Sequence, residues 1–469
     1  PPEGSQSARF CGAPPRKSMQ FRLEILLMYS GKDGRVVPLF KELFPFGGQL
    51  EEDNRWLRIA DLVPWRELER EYKTYFSHLG RPGTDGRLFL GLILLKHLTG
   101  LSDRELVQSV RENVYQQAFC GFEKFVTAAA VEPSTLSKLR KRLGVGFFKR
   151  MEEETHRVLI KRKIIGAKGM LADATVFPEH VKHPHDVGLL NDVRKWLVGN
   201  IKTLGGELGR PCRTYCRKAK QSFLSFSKKK RRSRQMVRRA QKEMLQFVRR
   251  NLGQLEELVG ALEERGRFVE EGLRERLKTG RRIFAQQTEM YRERKHRVDG
   301  RIVSFHRDYV RPIKRGKGGR KDTEFGPKGA LSHVGGFLFL DKFSHDNYSE
   351  ATREVVDGQL AAYQQRFGKL PPSFTGDRLY GTRENRRLMK ERGVRASFKP
   401  LGRPKDDGET SKRWFKKKQR ERNRIEGSFG HGKNHCGLDC VRYHGVEGAE
   451  MWIRGSILAM NPKTALARV

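Results

Sequence analysis

No apolar run in the 469-residue sequence is long enough to cross a bilayer; the longest, Leu88 to Leu95 (LFLGLILL), suits a buried core helix. Acidic residues are scarce. Asp and Glu number 55 against 96 Lys and Arg, a formal charge of +41. That excess points to nucleic acid as the partner, ahead of a membrane surface. Cysteine is sparse too: Cys11, Cys120, Cys212, Cys216, Cys436 and Cys440. Two pairs have the form C-x3-C, the second flanked by His431, His435 and His444, but C-x2-C spacing and a matching second half are missing. Packed free thiols in a reduced, cytosolic chain are expected, with structural zinc as the alternative. The first 18 residues lack the apolar stretch of a signal peptide. They read as a disordered tail, with Met19 as a candidate start. No nucleophile-plus-base signature is visible.

The length allows two or three domains. Arg55 to Leu79 reads as helical. GRPGTDG (Gly80 to Gly86) is a turn-rich loop whose Thr84 or Asp85 caps the next helix, which Gly100 ends. Ser102 and Asp103 cap another. Pro133 and Ser134 open a helix that Gly144 stops, with Leu136, Leu139 and Leu143 at core spacing and Lys138, Arg140, Lys141 and Arg142 on the other face. Residues 19–165 therefore read as an all-α domain. Either it binds DNA in helix-turn-helix fashion through those four cations, or it is a plain bundle with a solvated basic face.

The pattern changes at Gly169. GMLADATVF (Gly169 to Phe177) reads as a buried strand with Asp173 in its middle, and a carboxylate is costly there unless something pairs it. Cys212 to Arg250 then carries fifteen Lys or Arg against one Glu, including Lys228, Lys229, Lys230, Arg231 and Arg232. With interleaved phenylalanines this run suits DNA-backbone contact; a solvated charge run is the alternative. Leu245, Val248, Leu252, Leu255, Val259 and Leu262 form a short heptad seam, either an internal helical hairpin or a dimerising coil. Residues 183–298 thus read as a helical, basic insertion. Strands are predicted at Arg301 to Ile313, His333 to Phe343, Ser373 into the loop of Asp377, and Val394 to Pro400. Helices are predicted at Tyr348 to Phe367 and after Thr382.

The last predicted helix, Ser411 to Gly437, holds Arg422, Glu426 and Lys433 at i, i+4 and i+11, along one face. Glu426 is the only acid between Glu421 and Asp439. A lone carboxylate in such a field is a charge-pair member or a metal ligand beside bound polyanion.

Without the insertion, the order is three strands followed by alternating helix and strand, with acids on the first strand, after the fourth and on the final helix. That is the order of a ribonuclease-H-like fold: a mixed α/β sheet with helices on both faces, here residues 166–469. The stretches GRPGTDGRLFLGLILLKHLTGLSDRELVQSVREN, DATVFPEHVKHPHDVGLLND, RIVSFHRDYVRPIKRGK, TGDRLYGTREN and RNRIEGSFGHGK resemble the DDE transposases of bacterial insertion sequences, and the likeness runs from Met19 nearly to the end. Arg422-x3-Glu426-x6-Lys433 matches that family's spacing around the third acid. Where such elements often carry a tyrosine three residues before the arginine, this chain has Gln419.

The resemblance implies Asp173, Asp377 and Glu426 as the catalytic, metal-binding triad, with two Mg²⁺ or Mn²⁺ ions and with Arg422 and Lys433 on phosphate. It implies cleavage and joining of DNA at the element's terminal inverted repeats and at a target, in a cytoplasmic, nucleoid-associated protein that assembles as a dimer or larger complex. Three converging carboxylates repel, and two ions about 3.5–4 Å apart would relieve them while stabilising both oxygens of an in-line displacement. A nuclease without strand transfer, and a DNA-binding protein that has lost catalysis, are the other readings.

Overall fold

The structure, a computed structural model, describes residues 45–76, 83–314, 323–402 and 408–468. The expected tail, residues 19–44, part of the Gly80 to Gly86 loop and part of the loop following Ile313 lie outside these residues.

The N-terminal part is helical. α1 (Arg55–Ala60) starts where the Asn54 side chain accepts from the Trp56 N–H. α2 (Trp65–Lys73) begins after Pro64. The stretch expected to be helical from Arg55 is so as far as Lys73, in two helices, because proline lacks an N–H and disfavours helical geometry in the residue before it. α3 (Gly86–Thr99) is capped by Asp85 and closed by Gly100 at φ 74°. α4 (Asp103–Glu112) opens with a Ser102/Glu105 capping box. α5 (Val114–Phe119) follows. α6 runs Pro133–Lys161. Gly144 does not stop it as expected: at φ 65° it kinks the helix, which then resumes.

The sheet comprises β1 (Met170–Val176), β4 (Lys328–Val334), β5 (Phe337–Ser344), β6 (Ser373–Thr375) and β7 (Arg395–Ala396), in the order β5-β4-β1-β6-β7. β1–β4 and β4–β5 are antiparallel, whereas β1–β6 and β6–β7 are parallel. The one strand expected over His333 to Phe343 is the middle of a hairpin. Gly335 (φ 59°) and Gly336 (φ 102°) take the turn conformations that glycine tolerates. Arg301 to Ile313 is also corrected. Only Pro312–Lys314 (β2) is extended, pairing with Thr323–Phe325 (β3) in a separate ribbon.

Helices cover both faces. Met170 and Ala172 pack with α11 (Arg353–Phe367) and α12 (Arg383–Glu391). Leu171, Leu331 and Leu338 share a core with α3, α6 and α14 (Val446–Leu466). The N-terminal helices thus join the sheet domain through one continuous core. Neither α14 nor this junction is predicted from the sequence.

Between β1 and β2 lie α7 (Asp186–Glu207), α8 (Cys216–Ser227), α9 (Arg234–Glu264) and α10 (Glu271–Glu293). All six residues of the heptad seam are buried in the core of this bundle. α9 packs on α7 more extensively than on α10. The seam is consumed inside the chain, and Ile302 and Phe305 of the returning segment complete its core. No helix among the described residues is long and apolar enough to cross a membrane.

Candidate active site

In the parallel β1–β6 pair, Leu171 faces Thr375. Asp173 lies two residues beyond the first and Asp377 two beyond the second. Side chains alternate along a strand, so Asp173 shares the face of Leu171, and the chain brings Asp377 to the same level. Asp377 is fixed by its own loop: its Oδ1 accepts from the N–H groups of Leu379 (2.8 Å) and Tyr380 (3.4 Å). The third acid arrives on α13 (Gly408–His435), which packs against β1 and β6.

On that helix the Arg422 guanidinium donates to Glu426 Oε1 at 3.0 Å and lies 3.8 Å from Asp173 Oδ2. One arginine therefore bridges two of the acids. The Glu426 side chain is 56% exposed, Arg422 23% and Asp173 21%. Asp173 Oδ1 also accepts from the Ala174 N–H. Burial pushes the Asp173 carboxyl up from 3.8 to about 6. The charges of Asp377 and Glu426 contribute to that rise, which the Ala174 hydrogen bond and Arg422 oppose. Lys433 lies two turns beyond Glu426 and is half-buried.

Among the described residues no three His, Cys, Asp or Glu side chains are grouped so that they could hold a metal ion as they stand. The donor chemistry nevertheless suits a hard divalent cation. Arg422 lies between Asp173 and Glu426, and the half-buried Asp173 carboxylate feels the charges of both Asp377 and Glu426. Tyr380 was not anticipated: among the described residues its buried hydroxyl has no hydrogen-bond partner, and it lies in the fields of Asp173 and Asp377. Gln419 donates to the carbonyl and hydroxyl of Ser397, at 2.7 and 3.1 Å, and so ties α13 to the end of β7.

The other predicted contacts separate. Lys228 to Arg232 are exposed at the α8–α9 turn, with Arg232 over the Phe226 ring. Lys138 and Lys141 are exposed on α6. Arg140 is corrected: it is buried, pairs with Asp103 at 2.6 Å and stacks on Tyr443, so it is an internal tie and not a phosphate contact. Arg142 is exposed but committed to Phe76 and to the Tyr75 carbonyl. The described cysteines are free of disulfides.

The state of Asp173 sets a stability prediction. Its folded pKa of about 6 lies above the ordinary value, so its contribution is fully present below about 4 and is lost as pH rises through 6. Asp173→Asn is expected to melt higher than wild type at pH 7.5 without divalent ions, by about 2 kcal/mol after discounting for solvent screening. The gap should close by about pH 4. Equal or lower stability at pH 7.5 would contradict this electrostatic picture.

Residues 44–142 match the family model for a transposase domain (DUF772), and residues 374–460 match the model for a transposase DDE domain. The uncharacterized protein ORF8 in the nfe locus of Rhizobium meliloti is 32% identical over 169 residues, 35% of this chain and 80% of that protein. No solved structure matches.

Proposed function

Because the chain belongs to the DDE-type transposases of bacterial insertion sequences, we propose that it binds the ends of such an element and carries out metal-dependent cleavage and strand transfer. Asp173, Asp377 and Glu426 are the acids of that reaction in this reading. One observation carries it: acids from the loop after β6 and from α13 both act on the charge of Asp173 on β1, with Arg422 beside Asp173 and Glu426. The sheet supports it. Numbered by chain order within the sheet, the strands run 3-2-1-4-5, with the second antiparallel to the first and the fourth and fifth parallel to it, as expected of a ribonuclease-H-like domain.

Asp173, Asp377 and Glu426 would hold the divalent ions, Mg²⁺ or Mn²⁺, which when bound supply Lewis-acid stabilisation of the attacking and leaving oxygens. The chain's own groups do the rest. Asp173 has to give up its proton before it can serve as a ligand. Arg422, no longer needed as counter-ion to Glu426, is placed to take a phosphate oxygen, with Lys433 further along the same face. The exposed α8–α9 turn adds sequence-independent backbone contacts.

The reading is tested by incubating the protein with candidate element ends and Mg²⁺ or Mn²⁺. Nicking confined to the ends, followed by joining to a second DNA, is expected; cuts scattered over the duplex would overturn it. Replacing Lys228 to Arg232 with alanine should weaken binding to all sequences alike, by a salt-dependent factor of about 0.9 in slope per lost contact. Gel shifts across a salt series check this. A loss limited to one sequence would mean that the turn reads bases.

A further inference from the structure

Of the 28 residues of α13, only Ile425 and Gly432 are fully buried. Its first half is nevertheless held in place on one side. Arg395 stacks over the Trp414 ring at 3.9 Å, and Gln419 binds Ser397. The other side carries Arg413, Lys416, Lys417, Arg420 and Arg424. These fall at i, i+3, i+4, i+7 and i+11, one stripe about 16 Å long at the helical rise. They line an open groove along the helix together with one acid, Glu421, whose carboxylate is paired with Lys418. Arg413 pairs with Glu409. Among the described residues the other four have no ion-pair partner, and all five are exposed.

Like charges at these spacings repel and weaken the helix that bears them. The stripe also lies on the far side of α13 from Arg422 and Glu426, by the helical repeat of 100° per residue. A helix is about 10–12 Å across with its side chains, so phosphates on the stripe are not those beside Arg422. An exposed row of cations, four of the five without an ion-pair partner among the described residues, fits a polyanion backbone.

We propose that the outer face of α13 is a second DNA-backbone surface, holding a DNA segment other than the one presented to the three acids. This rests on the transposase reading of the chain. One helix would then stand between two DNA segments, with the acids on its inner side and the stripe on its outer side. Recognition is through phosphates and does not depend on sequence.

The test is a bridging assay on the full chain. Element-end DNA is fixed to beads, protein is added, and capture of a labelled unrelated duplex is measured across a salt series. Wild type should capture the second duplex. The combined variant Lys416→Ala, Lys417→Ala, Arg420→Ala should lose capture by at least about tenfold, with its salt slope reduced by about 0.9 per contact removed. The charge-keeping pair Lys416→Arg, Lys417→Arg should restore capture, which a folding defect would not permit. Capture by the alanine variant equal to wild type would overturn the proposal. So would a wild type that binds the bead DNA yet captures nothing. A wild type that binds no DNA at all would instead remove the transposase reading, and this inference with it.

Discussion

The Glu426→Gln variant should bind element-end DNA as tightly as wild type, or more tightly, and cut it more slowly by orders of magnitude. The amide keeps the size of the side chain and removes its charge, and a neutral amide is a poorer ligand for magnesium than a carboxylate. Glu426 accepts from Arg422 at 3.0 Å on a mostly exposed helix surface. Losing that pair costs about 0.3–0.5 kcal/mol of stability, so the fold should persist. Removing a negative charge from basic surroundings does not weaken phosphate binding. It also leaves Arg422 with only the more distant Asp173 as a counter-ion. Arg422→Ala and Lys433→Ala should behave differently and lose both affinity and rate, because phosphate is their assigned partner. Gel shift and nicking on the same preparations decide the matter. Cleavage near the wild-type rate by Glu426→Gln would end its assignment as a metal ligand.

The second large effect lies in the core that joins the helical N-terminal part to the sheet. Arg454 on α14 donates to Glu152 on α6 at 2.6 Å, with side chains only 10% and 4% exposed. A second arm meets Glu450 at 2.8 Å. Burial pushes the Glu152 carboxyl up, and the pull of Arg454 opposes that. Glu152→Ala leaves a buried guanidinium with half its compensation, and about 3–5 kcal/mol of stability should be lost. Replacing both partners, Glu152→Leu with Arg454→Met, should recover most of it, because no uncompensated charge then remains. Denaturant unfolding of the three proteins measures this. A double variant as unstable as the single would show that the loss comes from packing and not from the stranded charge.

Two of the three candidate acids stand out in the sequence by local signals, and Asp377 joined them only through the family resemblance. An aspartate inside an apolar strand and a lone glutamate among arginines are conspicuous without coordinates. Caps were legible for the same reason: Asp85, Ser102 and Thr382 each accept the N–H of the third residue on, as the sequence implies. What failed were readings of period where burial comes from elsewhere. Ile302, Val303, Phe305 and Val310 look like a strand but are buried without one, Ile302 and Phe305 by filling the insertion's core. Gly335 and Gly336 lie inside the strand expected over His333 to Phe343, whereas their positive φ angles mark its reversal. Arg140 belonged by spacing to a basic face. Only the tertiary fold brings Asp103 and Tyr443 to it. α14 carries Gly455 and Pro462 within an apolar run, which hides its helical period.

The central claim is that Asp173, Asp377 and Glu426 form one metal site, and the most direct test is Mn²⁺ binding in the absence of DNA. Titration followed by electron paramagnetic resonance or calorimetry should be run on wild type, Asp173→Asn, Asp377→Asn and Glu426→Gln at pH 7.5. One and the same binding event should be weakened at least about tenfold by each single substitution, although the three residues lie on three different elements. Binding unchanged in any one variant, with the others reduced, would remove that residue from the site. Binding unchanged in all three would contradict the account.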